Sequence, residues 1–197
     1  MNTHHLEKTH SGASLLPLET ACFDQGTVFL DGTINEETAT RFIQNGILLA
    51  RKQIPMTVVF NTNGGDLRAG LNIYDFITAQ KDVTTVALKA YSMGSLLFVA
   101  GKKRIMFPHS DLMIHEPLLS SGVSGSCSEI LTVSDHLKSE RERMIRLYAE
   151  HTKMTTADVR KFMKKDTYFT PDQATALGFC DAVMTWDEFL KGGMNHA

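Results

Sequence analysis

Three side chains in this sequence could together perform acyl transfer if the fold brought them to one place: Ser92, His115 and Asp166. Ser92 stands in Ala90-Tyr91-Ser92-Met93-Gly94-Ser95, between a strand-like run (Val83 to Leu88) and an apolar helical run (Leu96 to Ala100). A serine at such a junction sits on a sharp turn, its hydroxyl exposed and the next backbone N–H directed where an oxyanion would form. The same junction is commonly a plain helix cap. Catalysis by Ser92 therefore requires a base, a group to orient that base, and a second N–H donor. His115 ends the short run Leu112-Met113-Ile114 and is the candidate base; His109, between Pro108 and Ser110, is its rival and reads as a solvated turn residue. Asp166 reads as a surface acid unless it faces His115. Gly64-Gly65, just before a helical pattern, lets backbone N–H groups approach a ligand with no Cβ in the way, although a tight turn would use the same pair.

The elements that must position these groups follow from periodicity. Thr27 to Leu30 reads as a strand ended by the turn signal Asp31-Gly32. Asn35 then caps a helix with Ala39, Phe42, Ile43, Ile47 and Ala50 at helical spacing. Thr57 to Phe60 is β-branched without alternation, as in a strand buried on both faces of a parallel sheet. Leu67, Leu71, Tyr74 and Ile77 mark one face of the next helix. Successive strand-helix units of this kind put their strand ends on one edge of a parallel sheet, so the glycine turn and the serine turn face a common crevice. Lys102 to Phe107 and Asp111 to Ile114 read as two short strands, and the second delivers His115 to that crevice.

Leu118 to Ser126, rich in serine and glycine, reads as a loop or loose edge strand. The long helix expected from Glu129 to His151 carries an apolar stripe at Ile130, Val133, Leu137, Met144 and Leu147, with Glu140-Arg141-Glu142-Arg143 mostly solvated. It is too long to be covered within one small domain and is expected to pack on another subunit. Thr155 or Thr156 can cap a short helix, Thr170-Pro171 starts another that Gly178 ends, and Phe179 to Met184 reads as a last strand.

The chain's 197 residues suit one domain. With 20 basic against 22 acidic side chains the net charge is -2, which points to neither nucleic acid nor a membrane surface. Cys22, Cys127 and Cys180 are widely spaced and suggest neither a disulfide framework nor a zinc site, so a reducing cytoplasm is the expected compartment. No run has the length of a transmembrane helix, and His4, His5 and His10 read as part of a solvated tail.

Taken together and in order, Gly64-Gly65, Ser92-Met93-Gly94, Met113-Ile114-His115-Glu116-Pro117 and Asp166-Thr167-Tyr168-Phe169-Thr170 resemble the proteolytic subunits of the Clp protease, a family of self-compartmentalising serine peptidases. The similarity runs from about Val28 to about Val183 and includes Ile73-Tyr74-Asp75 and Glu150-His151-Thr152. The resemblance implies an α/β fold, a crotonase-like ββα spiral with a protruding helical handle. It divides the chain into a flexible arm (1–25), a head (26–186) with the handle at about 118–152, and a tail (187–197). It also implies Ser92 as nucleophile, His115 as general base and then acid, and Asp166 as the carboxylate that fixes the imidazole. The N–H groups of Gly65 and Met93 would form the oxyanion hole, and Leu67 and Leu118 would hold an extended peptide. Seven-membered rings, stacked in pairs, and a docked AAA+ unfoldase that feeds polypeptide substrates are further implications, with neither cofactor nor metal in the subunit. The sequence departs from the family at Thr62-Asn63, where a serine and a proline are usual, at Tyr91, where a small residue is common, and at Lys165 in place of arginine. The alternatives are a crotonase-type acyl-CoA enzyme, which needs no triad, and a non-catalytic ring subunit supporting an active paralogue.

Overall fold

The computed structural model of the chain describes residues 4–9, 12–119 and 121–193. Its centre is a parallel sheet formed by β3 (Thr27–Ile34), β4 (Met56–Gly65), β5 (Val83–Tyr91) and β6 (Lys103–Ile114), in that spatial order. The antiparallel β7 (Thr167–Phe169) and the parallel two-residue β8 (Ala182–Val183) both pair with β6. Helices α2 (Glu36–Lys52), α3 (Leu67–Ala79) and α4 (Met93–Val99) connect successive parallel strands, as crossover connections must. Before the sheet come β1 (His4–Thr9), β2 (Gly12–Pro17) and α1 (Leu18–Asp24); after β6 come α5 (Cys127–His151), α6 (Thr156–Met163), α7 (Pro171–Leu177) and α8 (Trp186–Gly193).

The cap chemistry expected at three helices is present. Asn35 accepts from the Thr38 N–H while the Thr38 side chain accepts in return, and Thr155 with Asp158 and Thr170 with Gln173 repeat this reciprocal pattern. Gly178 closes α7 in the left-handed conformation. The buried stripe of α2 is Ala39, Phe42, Gly46 and Leu49, so Ile47 and Ala50 lie on its exposed side. Gly46 sets this rotation: a Cβ there would lie 2.3 Å from the Phe76 ring of α3, so only glycine lets the two helices pack so closely.

Two strand expectations need correction. Asp31-Gly32 does not end β3; the register slips between Gly32 and Thr33 and the strand resumes to Ile34. Gly32 takes a φ of 77° within this bulge, a local device that looks like a turn in sequence. Likewise, Lys103 to Ile114 is one strand rather than two. Between Ala87↔Met106 and Lys89↔Asp111 the β6 chain advances five residues against two on β5, so Pro108 and His109 bulge outward. Ser110 closes the bulge, its hydroxyl accepting from the Phe107 N–H at 2.9 Å and donating to the Ala87 carbonyl.

Helix α4 is buried along its whole length, packed against β4, β5, β6, α3 and α5. Its Leu96, Leu97, Phe98 and Val99 each gain about 2 kcal/mol from burial, which holds a helix far too short to be stable alone. Helix α5 is the opposite case. Nothing in its first half is buried, Ile130 and Leu131 are exposed, and the core is reached from the second half, through Met144, Ile145 and Tyr148 with Leu147 and Ala149 packed against it.

The charge cluster on α5 is less solvated than expected. Glu140 is buried beside Arg143, Arg141 reaches Glu116 and Glu142, and Glu142 takes both ends of the Arg160 guanidinium from α6. The hydrogen bonds from Arg160 lower the Glu142 carboxyl to about 2. A carboxylate lowered by folding adds stability that is complete above its unfolded value and is lost as pH falls toward the folded one. Arg160→Gln is therefore expected to lower the melting temperature at pH 6 and to flatten its fall between about pH 4.5 and about 2, measured by thermal unfolding across that range.

At the termini the sequence pattern is a weaker guide. Of the arm expected over 1–25, residues 1–3, 10 and 11 lie outside the described residues, and 4–9 pair with 12–17 as an antiparallel hairpin followed by α1. Leu6 and Leu15 are exposed on that hairpin, so no buried face imposes alternation. From 187 onward a tail was expected; instead, α8 runs to Gly193, and 194–197 lie outside the described residues. Trp186 stacks on Phe107 at 4.0 Å and Phe189 meets it edge-on, covering a second apolar cluster of Val59, Val86 and Ile105 on the sheet's other face.

Candidate active site

Strand register alone brings the candidate residues together. On β5 and β6, Tyr91 pairs with Met113, and the Ser92 N–H continues the ladder by donating to the Met113 carbonyl at 2.9 Å. On β6 and β7, Ile114 pairs with Thr167, so one step beyond that antiparallel pair His115 stands opposite Asp166. The outcome is a row: Ser92 Oγ lies 2.7 Å from His115 Nε2, and Asp166 Oδ1 lies 3.2 Å from His115 Nδ1. The carboxylate favours the tautomer with its proton on Nδ1, which leaves Nε2 free to accept from the serine hydroxyl. The Asp166 side chain remains 58% exposed and that of His115 only 17%, so the imidazole is sheltered while its carboxylate partner keeps contact with solvent.

Ser92 adopts φ 53°, ψ -123°, a conformation that a side chain disfavours. Its hydroxyl makes no cap bond to α4 and is left for His115. Ser92 is therefore not an ordinary helix cap, since a capping serine has extended backbone and bonds the first helical turn.

The glycine turn lies against the serine turn. A Cβ on Gly64 would lie 2.8 Å from Ser92 Cβ and 3.0 Å from the Met93 nitrogen, and one on Gly65 would lie 2.1 Å from the Ile34 carbonyl oxygen. Both residues have positive φ, 92° and 152°. Thr62, which departs from the family pattern, shapes this turn: its hydroxyl donates to the Gly32 carbonyl at 2.5 Å and accepts from the Gly64 N–H at 3.0 Å. Sequence reasoning assigned Thr62 no role, and only its position two residues before the glycines could have suggested one.

Leu67 is half-buried at the start of α3, next to the glycine turn, and Leu118 is 63% exposed on the segment that follows His115. Tyr91 is turned toward β7, its ring edge-on to Tyr168 at 5.5 Å, and burial together with Asp111 raises its phenol. His109 is exposed on the outward bulge. A cavity of about 340 Å³ lies elsewhere, between β6, the end of α5 and α7. There Arg104 is taken up by Asp181 and by the carbonyls of His151 and Gly178, which makes it a structural tie between elements.

The row of hydroxyl, imidazole and carboxylate can pass a proton from Ser92 to His115 as the oxygen attacks a carbonyl, and return it to a leaving group.

The family model described as Clp protease matches residues 12–187. A protein of Bdellovibrio bacteriovorus named ATP-dependent Clp protease proteolytic subunit is 32% identical over 194 residues, covering 95% of this chain and 92% of the relative. A Thermobifida fusca protein named as subunit 2 is 33% identical over 175 residues, covering 86% and 85%. One of Mycobacterium bovis named as subunit 1 is 33% identical over 164 residues, covering 80% and 81%.

Proposed function

The chain belongs to the Clp protease family, serine peptidases of crotonase-like α/β fold, and from that premise we propose that it cleaves polypeptides through an acyl-enzyme on Ser92. The carrying observation is the continuous contact of Ser92 Oγ with His115 Nε2 at 2.7 Å and of His115 Nδ1 with Asp166 at 3.2 Å. Ser92 attacks the scissile carbonyl while His115 takes its proton, and Asp166 stabilises the imidazolium that forms. The negative oxygen of the tetrahedral intermediate is received by the N–H groups of Gly65 and Met93, whose turns pack against each other. His115 then protonates the leaving amine, and water repeats the sequence in reverse to release the acid. Leu67 follows the glycine turn and Leu118 stands on the segment after His115, and these two segments would flank an extended peptide held as an added strand.

The surface of α5 supports assembly. Its first half is an unpartnered helix with exposed Ile130 and Leu131, a surface suited to a second copy of the chain. The relatives' names, which include the words proteolytic subunit and ATP-dependent, support a homo-oligomeric ring, of seven members by resemblance, supplied with substrate by an AAA+ unfoldase in the cytoplasm. No helix among the described residues is long and apolar enough to cross a membrane.

The purified chain, assayed in its native assembly, is expected to hydrolyse a fluorogenic peptide and, with an activated ester, to release one equivalent of leaving group per chain in a fast burst. Turnover of an acyl-CoA thioester without peptide hydrolysis would instead favour the crotonase-type reaction. Absence of both, with the assembly intact, would favour a non-catalytic ring subunit.

A further inference from the structure

The backbone of Ser92 is strained, and the groups that hold it come from two helices, α4, which it precedes, and the buried second half of α5. The Ser92 carbonyl accepts from the Ser95 N–H at 3.0 Å, from the Ser95 hydroxyl at 2.7 Å and from the Tyr148 hydroxyl at 3.3 Å. The hydroxyls of Tyr148 and Ser95 are themselves 2.7 Å apart. With Ser95 donating to the carbonyl, the single Tyr148 proton is shared between the Ser95 oxygen at 2.7 Å and the more distant carbonyl at 3.3 Å. Tyr148 and Ser95 are fully buried, and the Tyr148 ring rests edge-on against Phe179 at 6.0 Å, so neither hydroxyl has water as an alternative partner. Burial also pushes the Tyr148 phenol far above its ordinary range, keeping it a donor wherever the protein is folded.

The carbonyl of Ser92 and the N–H of Met93 belong to one planar trans peptide unit and point in opposite directions. A device that fixes the carbonyl therefore aims the N–H. The pair φ 53°, ψ -123° is disfavoured for a residue with a Cβ, and rotating the unit about ψ would turn the Met93 N–H away from the space above Ser92. We propose that Tyr148 and Ser95 are positioning residues that lock the Ser92–Met93 peptide so that its N–H faces the developing oxyanion, an inference that rests on reading Ser92 as the nucleophile. The lock is preorganisation: its effect falls on the transition state and not on substrate affinity.

The test compares three variants of the assembled protein. Tyr148→Phe removes one hydroxyl and is expected to lower kcat for a peptide substrate by about tenfold, the scale of one lost hydrogen bond, with KM unchanged. Its pH profile should match that of the wild type, because His115 and Asp166 are untouched. Ser95→Ala removes the other hydroxyl and should behave alike, and the double variant should be no slower than the worse single one. Tyr74→Phe is the control, deleting a buried tyrosine hydroxyl that bonds His151 at 2.6 Å, and should keep wild-type kcat whatever it does to melting temperature. Wild-type kcat in both Tyr148→Phe and Ser95→Ala overturns the inference, as does a loss that Tyr74→Phe reproduces in step with melting temperature. Should a fluorophosphonate fail to acylate wild-type Ser92, the parent reading falls and this one with it. A labelled wild type with unimpaired variants sinks this inference alone.

Discussion

Ser92→Ala is expected to reduce peptide hydrolysis by about 10⁵- to 10⁶-fold, to the residue of activity that binding and oxyanion stabilisation sustain without a nucleophile. The variant should fold and assemble normally, because the Ser92 hydroxyl caps no helix and, among the described residues, its one side-chain partner is His115. Alanine keeps a Cβ at φ 53°, so it leaves the backbone strain in place. Ser92→Gly removes that strain as well as the hydroxyl. It should be just as inactive yet more stable than the alanine variant by about 1 kcal/mol, read from thermal or denaturant unfolding. The pair separates loss of the reacting oxygen from damage to the turn. Equal, near-wild-type activity in both variants would remove Ser92 from the chemistry.

Gly65→Ala is the second large effect. The new Cβ would lie 2.1 Å from the Ile34 carbonyl oxygen and 2.8 Å from the Ile34 nitrogen, both main-chain atoms that no side-chain rotation can relieve. That carbonyl also accepts from the Asp66 N–H at 2.8 Å, a bond that holds the entry to α3, so displacing it disturbs the turn from both sides. With φ at 152° the position is strained for any L side chain in addition. The expected result is a kcat lower by about 10²- to 10³-fold, the usual value of one oxyanion donor, with a stability loss of about 1 to 3 kcal/mol. Gly192→Ala, where a Cβ meets only open space, should change neither. Retained kcat in a folded Gly65→Ala protein would exclude the Gly65 N–H as a donor.

Much of this site could be read in the sequence because it is built from strand ends. The β-branched run ending at the paired glycines, the run ending at Ser92 and the run ending at His115 are β4, β5 and the last part of β6, and a parallel sheet places such ends on one edge. Asp166 was harder. What brings it to His115 is β7, three residues whose pairing with β6 is fixed by tertiary contact and leaves no periodicity to detect. The bulges at Gly32 and at Pro108-His109 were misread for a related reason, since a glycine or proline inside a strand gives the same local signal as one between strands. Helix α8 does carry a sequence signal: Thr185 and Glu188 form a reciprocal cap, with Trp186, Phe189 and Leu190 at helical spacing behind it. The Tyr148–Ser95 lock left no such trace, because its members are 53 residues apart and each looks like ordinary helix interior.

The most direct test of the account is intact-mass analysis of the assembled protein after treatment with a fluorophosphonate, followed by peptide mapping. The account predicts one adduct per chain, located on Ser92, and none in His115→Ala, whose serine lacks its base. An unmodified wild-type assembly, or an adduct on any residue other than Ser92, would contradict it.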